Sequence, residues 1–356
     1  MKKFSLLFAG FSLLLSCSDS VVESTNESAD HLASGSNSEA NSEATSELLL
    51  RERKLGVMGT DLSITALHED ADLLERALDA AVLEIQRVED LMTDWRPSPL
   101  ITLNQAVGAG PHKVPAELAS LIDRGLAVSE LSDGSFDLTF RTFGRLWDFK
   151  ADPPQLPNQA AIDAALMKCG WQKVKVDLQK SEITRPEGME IGLGGIAKGY
   201  GVDRAMAVLM DFGIKHAIVN AGGDLKALGQ KHDELWTIAI QHPRDRERVI
   251  AVLPVSNSCV VTSGDYERFF EHEGKRYHHI LNPVTGYPAE GCMSATVVAP
   301  DAAIADALAT AICVLGFEKG FAMIEKLPRI EALAVDMHGE VHMTGGLLPK
   351  EAPESR

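Results

Sequence analysis

Two segments about 110 residues apart constrain this chain most: Ile191-Gly-Leu-Gly-Gly-Ile-Ala-Lys-Gly-Tyr200 and Ala305-Asp-Ala-Leu-Ala-Thr-Ala-Ile312. The first reads as a glycine-rich turn entering a helix. Glycines let a backbone approach a ligand closely, and the first turn of a helix offers unpaired N–H groups to an anion. Lys198, one turn in, can point at the same anion. The second segment places Asp306 and Thr310 at i and i+4, so their oxygens share a helical face and can hold one ion. Carboxylate, hydroxyl and backbone carbonyl are hard oxygen donors, the set suited to Mg²⁺ with phosphate completing the octahedron. Taken singly, each segment also has a plainer explanation: glycines that only admit close helix–sheet packing, and a solvated pair on a helix surface.

Two familiar nucleotide signatures do not account for the turn. Gly192-Leu-Gly194-Gly195-Ile-Ala197 fits the outline G-x-G-x-x-A, but a dinucleotide fold wants an acid about 20 residues on, at the end of the next strand. That strand, His216-Ala-Ile-Val219, ends at Asn220. No Gly-Lys-Ser/Thr follows a four-residue spacer, which removes the Walker A loop.

The N-terminus reads as a signal peptide over residues 1–16: Met-Lys-Lys, then an apolar run from Phe4 to Leu15 too short to span a bilayer. Leu14-Leu15-Ser16-Cys17 resembles the bacterial lipobox, so Cys17 is expected to carry lipid at the mature N-terminus; an ordinary signal peptide is the other reading. Residues 17–47 follow as a tether of Ser, Asn, Glu and Ala with seven acids and no Lys or Arg, too poor in apolar surface to offset the entropy of ordering. These features predict a lipid-anchored protein of the bacterial cell envelope facing the periplasm. Residues 48–350 are then the catalytic body. The formal charge is −17, of which the tether supplies −7 and the signal segment +2, leaving −12 for the body. With no basic stripe, nucleic acid is not an expected partner, and an anionic substrate must be neutralised by a cation or by placed lysines. The cysteines, Cys17, Cys169, Cys259, Cys292 and Cys313, show neither CxxC nor zinc spacing, and Cys313 is expected to be packed.

Along the body, a strand-like stretch around residues 57–64 precedes an amphipathic helix over Asp72–Met92, with Leu74, Ala77, Leu78, Ala81, Ile85, Val88 and Leu91 at helical spacing. A second helix is predicted from Pro115 to Leu131 and a third from just after Gly192 to about Met210. Strands at 235–241, 248–254 and 258–262 look antiparallel, so the fold class is α+β rather than a βαβ series. In Tyr277-His278-His279-Ile280, one of the two histidines must face inward. A buried His without metal partners is usually a hydrogen-bonded core residue, yet near a phosphate it can act as base or donor. The loops Asp133–Asp137 and Asn220–Asp224 carry acids and glycine, which turns favour for local reasons.

Taken in order, Met58-Gly-Thr60, Asp133-Gly-Ser-Phe-Asp137, Gly194-Gly-Ile-Ala-Lys-Gly199, Asn220-Ala-Gly-Gly-Asp224, Thr262-Ser-Gly-Asp-Tyr-Glu-Arg268, His279-Ile-Leu-Asn-Pro-Val-Thr-Gly286 and Asp306-Ala-Leu-Ala-Thr310 resemble the ApbE family of flavin transferases, from about Leu55 to Leu347. The resemblance implies an ApbE-like, T-fold-like α+β architecture of mixed sheets with packed helices, two subdomains around a flavin cleft. It implies Mg²⁺-dependent transfer of FMN from FAD to a threonine hydroxyl of an acceptor protein, releasing AMP; FAD pyrophosphatase activity or FAD binding without turnover are the alternatives. By resemblance the metal is held by Asp306, Thr310 and the backbone carbonyl of Gly195. FAD contacts Met58, Trp95, Ser135, Phe136, Asp137, Lys198 and His279, with His279 as base and Lys198 as charge stabiliser. The chain departs from the family at Gly192 and Asn282, where Asp is usual.

Overall fold

The stretch around residues 57–64 is two strands rather than one. Strands β1 (Leu49–Val57) and β2 (Thr60–His68) pair antiparallel with Val57 opposite Thr60, so Met58 and Gly59 alone make the turn. Both have positive φ, 53° and 71°, as in the type I′ turn whose twist matches that of the strands it joins. Glycine adopts this conformation freely, whereas a methionine pays about 1–2 kcal/mol for it. Burial offsets that cost: Met58 is 7% exposed and its sulfur lies over Gly201.

This computed structural model describes residues 48–348; the expected signal segment, Cys17 and the tether lie outside the described residues. The hairpin opens an eight-stranded sheet continued by β3 (His216–Ala221), β4 (Asp224–Leu228), β5 (Ser258–Gly264), β6 (Ser294–Ala299), β7 (Glu331–Val335) and β8 (Val341–Met343). Order in the sheet is order in the chain, and every pairing is antiparallel. Functional segments are therefore inserts between neighbouring strands. The longest, from β2 to β3, carries helices α1 (Ala71–Met92), α2 (Ala116–Leu131) and α3 (Ala197–Asp211); α4 (Ala302–Leu315) and α5 (Phe317–Ile324) lie between β6 and β7.

Period-two alternation splits the sheet between two cores. Ile64, Val219 and Val297 face the helices, which bury Ile85, Val202 and Leu308 against them. Leu225, Val260 and Leu333 face the other way, under a long hairpin whose Trp236, Ile238 and Val255 close that side. A third cluster gathers Phe143 and Trp147 from the segment after α2, Phe270 from the hairpin Phe269–His278 and Leu281 from the loop that follows it. Trp147 stacks at 5.8 Å on Tyr277 and donates from Nε1 to the Gly286 carbonyl at 2.9 Å. The described residues form one compact unit, so this aromatic cluster is part of the same body as the sheet and not a separate subdomain of the kind that the sequence resemblance implies.

Edges of the sheet are guarded. On β1, Arg51, Glu52 and Lys54 are exposed and Arg53 is held by Glu75 and Asp79 of α1, while β8 at the far edge has only three residues. The four described cysteines are unpaired and buried, Cys313 among them as expected. No helix among the described residues is long and apolar enough to cross a membrane.

Candidate active site

The glycine turn and α4 meet. Helix α3 starts at Ala197, later than the expected start just after Gly192, because the preceding residues form the turn. Its third residue, Gly199, directs its N–H to Asp306 Oδ2 at 3.4 Å, so a carboxylate from another helix stands at the positive end of α3. Only glycine fits there, since a Cβ on Gly199 would stand 2.1 Å from the Ala302 carbonyl oxygen. Gly195 lies beside Thr310: a Cβ on it would meet Thr310 Oγ1 at 3.2 Å and the Phe136 ring at 3.1 Å. Positions 195, 199, 306 and 310 thus lie against one another.

The framework around α4 explains why that helix sits where it does. Asp301 caps it through Ile304 N at 2.9 Å and pairs with Arg124. Asp203, from α3, accepts from Ala302 N and Ala303 N at 2.9 and 3.1 Å and binds Lys226 Nζ at 2.5 Å. Ser263 Oγ, on β5, lies 3.2 Å from Thr310 Oγ1, and the two hydroxyls share one hydrogen bond in which either can donate.

Charge in the site is concentrated, and its carboxylates are buried. Lys198 Nζ bonds Asp224 Oδ2 at 2.5 Å, with side-chain exposures of 30% and 1%. Burial works against the ammonium, but Asp224 and Asp306 more than offset it and hold the Lys198 pKa above its ordinary range. Burial, and next the Asp224 carboxylate, push the Asp306 carboxyl up to about 8 despite Lys198 and the Gly199 N–H. Asp224 Oδ1 is buried and meets no protein donor among the described residues. An all-oxygen set with two carboxyl groups to one ammonium and an orphaned carboxylate oxygen fits a hard divalent cation, whose charge would draw the proton from Asp306. Among the described residues, Asp336, Glu340 and His342 could also gather around an ion; they lie at the β7–β8 turn, where Asp336 already accepts from His338 N and Glu340 N and faces His342 Nε2 at 2.9 Å.

Of the paired histidines, His278 is the inward one, with Nε2 on the Ala289 carbonyl at 2.9 Å. His279 is half-buried and its Nδ1 faces the Arg268 carbonyl at 3.3 Å. A carbonyl can only accept, so Nδ1 carries the proton and Nε2 keeps its lone pair. Burial, then the His278 and Arg268 charges, lower the His279 pKa to about 3, and Lys198 adds to the effect. The imidazole is neutral at pH 7.

The remaining expected residues divide. Phe136 is buried against Gly195, with its N–H on Ser132 Oγ at 3.1 Å. Ser135 is half-exposed beside it. Asp137 has both oxygens engaged, by Thr139 N at 2.7 Å, Thr139 Oγ1 at 2.8 Å and Trp171 N at 3.1 Å, so its carboxylate shapes the loop that carries Phe136. Trp95 is 58% exposed, in a loop moored by the Asp94–Arg141 pair at 3.1 Å. Gly192 is filled over by Phe140: a Cβ there would lie 2.7 Å from the ring. Asn282, the second departure, folds its own turn by accepting from Val284 N at 2.8 Å. Sequence reasoning assigned no task to Asp224, Ser263 or Arg268, although all three lie in the quoted motifs.

An antiparallel sheet backed by helices, with a carboxylate–hydroxyl pair against a glycine turn, places the protein in the α+β class with an oxygen-rich candidate site. The ApbE family pattern matches residues 58–334. The chain is 33% identical over 292 residues to an FAD:protein FMN transferase of Treponema pallidum, covering 77% of this chain and 81% of that one. It is 34% identical to one of Klebsiella pneumoniae, covering 80% and 89%. Among solved structures, the ApbE protein of Thermotoga maritima superposes with a TM-score of 0.77 at 33% identity over 84% of this chain and 98% of that one. The flavin transferase ApbE of Vibrio cholerae gives 0.73 at 27%, over 83% and 97%. The chain belongs to the ApbE family.

Proposed function

We propose that this protein transfers FMN from FAD to a threonine hydroxyl of an acceptor flavoprotein and releases AMP, with Mg²⁺ held by Asp306, Thr310 and the Gly195 carbonyl. The observation that carries the reading is the meeting of Asp306 and Thr310 with the turn at Gly195–Gly199. The relatives that bear the transferase name support the substrate and the reaction.

The chain's own groups divide the work. Phe136, Ser135 and Met58 border the FAD site, and Trp95 offers an exposed ring to stack on the ligand. The neutral His279 accepts the hydroxyl proton of the acceptor threonine at Nε2 as the oxygen attacks the FMN phosphorus. The bond from that phosphorus to the bridging oxygen breaks, and AMP leaves with its electron pair. Lys198, kept charged by Asp224, faces the charge growing on the leaving phosphate. When bound, the cation supplies Lewis-acid polarisation of the phosphoryl oxygens.

The test is AMP release from FAD and covalent FMN on an acceptor protein, each with and without Mg²⁺. Both signals are expected with the ion and neither with EDTA; absence of both with the ion present removes the reading. AMP without labelled acceptor identifies a pyrophosphatase instead. We also propose, from the Leu14–Cys17 motif, a lipid on Cys17 that anchors the protein to the cell envelope facing the periplasm. Cys17→Ser should abolish lipid labelling and release the chain from the membrane fraction.

A further inference from the structure

Asp224 stands at the head of β4, immediately after a turn whose Gly222 and Gly223 have φ of 61° and 96°. That turn, held by Gly223 N on Asn220 Oδ1 at 3.0 Å, sends the carboxylate inward beneath α3. One oxygen is taken by Lys198 at 2.5 Å, and the next residue, Gly199, bonds Asp306 at 3.4 Å. Two buried carboxylates therefore flank the Lys198–Gly199 step, with a single ammonium between them. Asp224 Oδ1 is left without a protein donor among the described residues although the side chain is 1% exposed. A buried charged acceptor without a partner is destabilising and calls for one.

We propose that Asp224 Oδ1 accepts a hydrogen bond from a water in the hydration shell of the cation at Asp306 and Thr310, and so sets how tightly the ion is held. This rests on the metal reading of the site given above. Mg²⁺ demands six oxygens and gives up its waters reluctantly, and three protein oxygens plus one or two from phosphate leave room for at least one water. Direct ligation is disfavoured because Lys198 already holds the other oxygen of the same carboxylate. Asp224 then has two tasks: one oxygen aims Lys198 and the other orients the ion's water. Such outer partners typically change metal affinity about 10- to 100-fold when removed.

The experiment measures Mn²⁺ binding by electron paramagnetic resonance in the presence of FAD, without acceptor and without reading turnover. D224N keeps the shape and one acceptor for Lys198 but can present an amide donor toward the ion; its Mn²⁺ affinity should fall about tenfold or more. K198M retains the Asp224 carboxylate and should bind Mn²⁺ as tightly as the unchanged chain or more tightly. A crystal of the unchanged protein with Mn²⁺ and FAD should show a water bridging the ion and Asp224 Oδ1. Equal affinities for D224N and the unchanged chain overturn the proposal, as does an equal loss in K198M or direct Asp224–ion coordination. No Mn²⁺ binding by the unchanged chain overturns the metal reading itself, which separates the two failures.

Discussion

Replacing Gly199 with alanine tests how the two site helices are fitted together. In an unobstructed helix, Gly to Ala stabilises by about 1 kcal/mol. Here the added Cβ would stand 2.1 Å from the Ala302 carbonyl oxygen, 2.5 Å from its carbon and 2.9 Å from Ala303 N. Ordinary contact begins near 3.4 Å, so the start of α4 must retreat by roughly 1.3 Å. The obstacle is backbone held by Asp203 and by the Asp301 cap, which no rotamer change can relieve. Overpacking of this kind costs about 3 kcal/mol at the upper end, for a net loss of about 2 kcal/mol after the propensity gain. Asp306 lies one turn further along the displaced helix, and misplacement by about 1 Å is enough for a loss of about 10²-fold in rate. Urea unfolding should therefore show a lowered midpoint with an unchanged slope, and Mg²⁺-dependent AMP release should fall by two orders of magnitude. A G199A protein as stable and as active as the parent would refute the close-approach argument.

Three further outcomes follow from single contacts. The His279 pKa lies well below its value of about 6.5 in the unfolded chain, so its contribution to stability is present above pH 6.5 and is lost as pH falls toward 3; the acid limb of the pH–rate profile should lie below pH 5, and a limb near 6.5 would contradict a base held neutral by its surroundings. Restoring the family's acid with Gly192→Asp forces a Cβ to within 2.7 Å of Phe140 and should cost about 1–3 kcal/mol by thermal unfolding, recovered in part by Phe140→Ala; an unpenalised single variant would show that the segment is loose. Ser263→Ala removes the partner of Thr310 Oγ1 and should weaken Mn²⁺ binding several-fold, about 1 kcal/mol, without a matching loss of fold stability; unchanged binding would show that the hydroxyl needs no guide.

Much of the site was legible because its parts are local in sequence. An i,i+4 pair declares its shared face, and a glycine run before an apolar helix declares a close approach. The helices at Ala71–Met92 and Ala116–Leu131 follow from apolar spacing, within a residue or two of the expected ends. What stayed hidden depends on long-range partners. Residues 57–64 read as one strand because methionine is not a turn former; Met58 is held at φ 53° by burial against Gly201, far along the chain. Alternation said that one of His278 and His279 turns inward, but only the Ala289 carbonyl decides which. Asp224 looked like a turn acid, and its partner Lys198 is 26 residues away. Arg185, 1% exposed, gives no sign in sequence that it satisfies the Leu103, Asn104 and Ala106 carbonyls at the end of a short helix.

The charged outer strand β1 has a bearing on whether two copies can join edge to edge. Its exposed Arg51, Glu52 and Lys54 deny a neighbouring molecule a flat apolar ladder to join, and the three-residue β8 offers too little backbone at the opposite margin. Neither margin therefore templates the addition of a strand from another copy, and the sheet ends within one molecule.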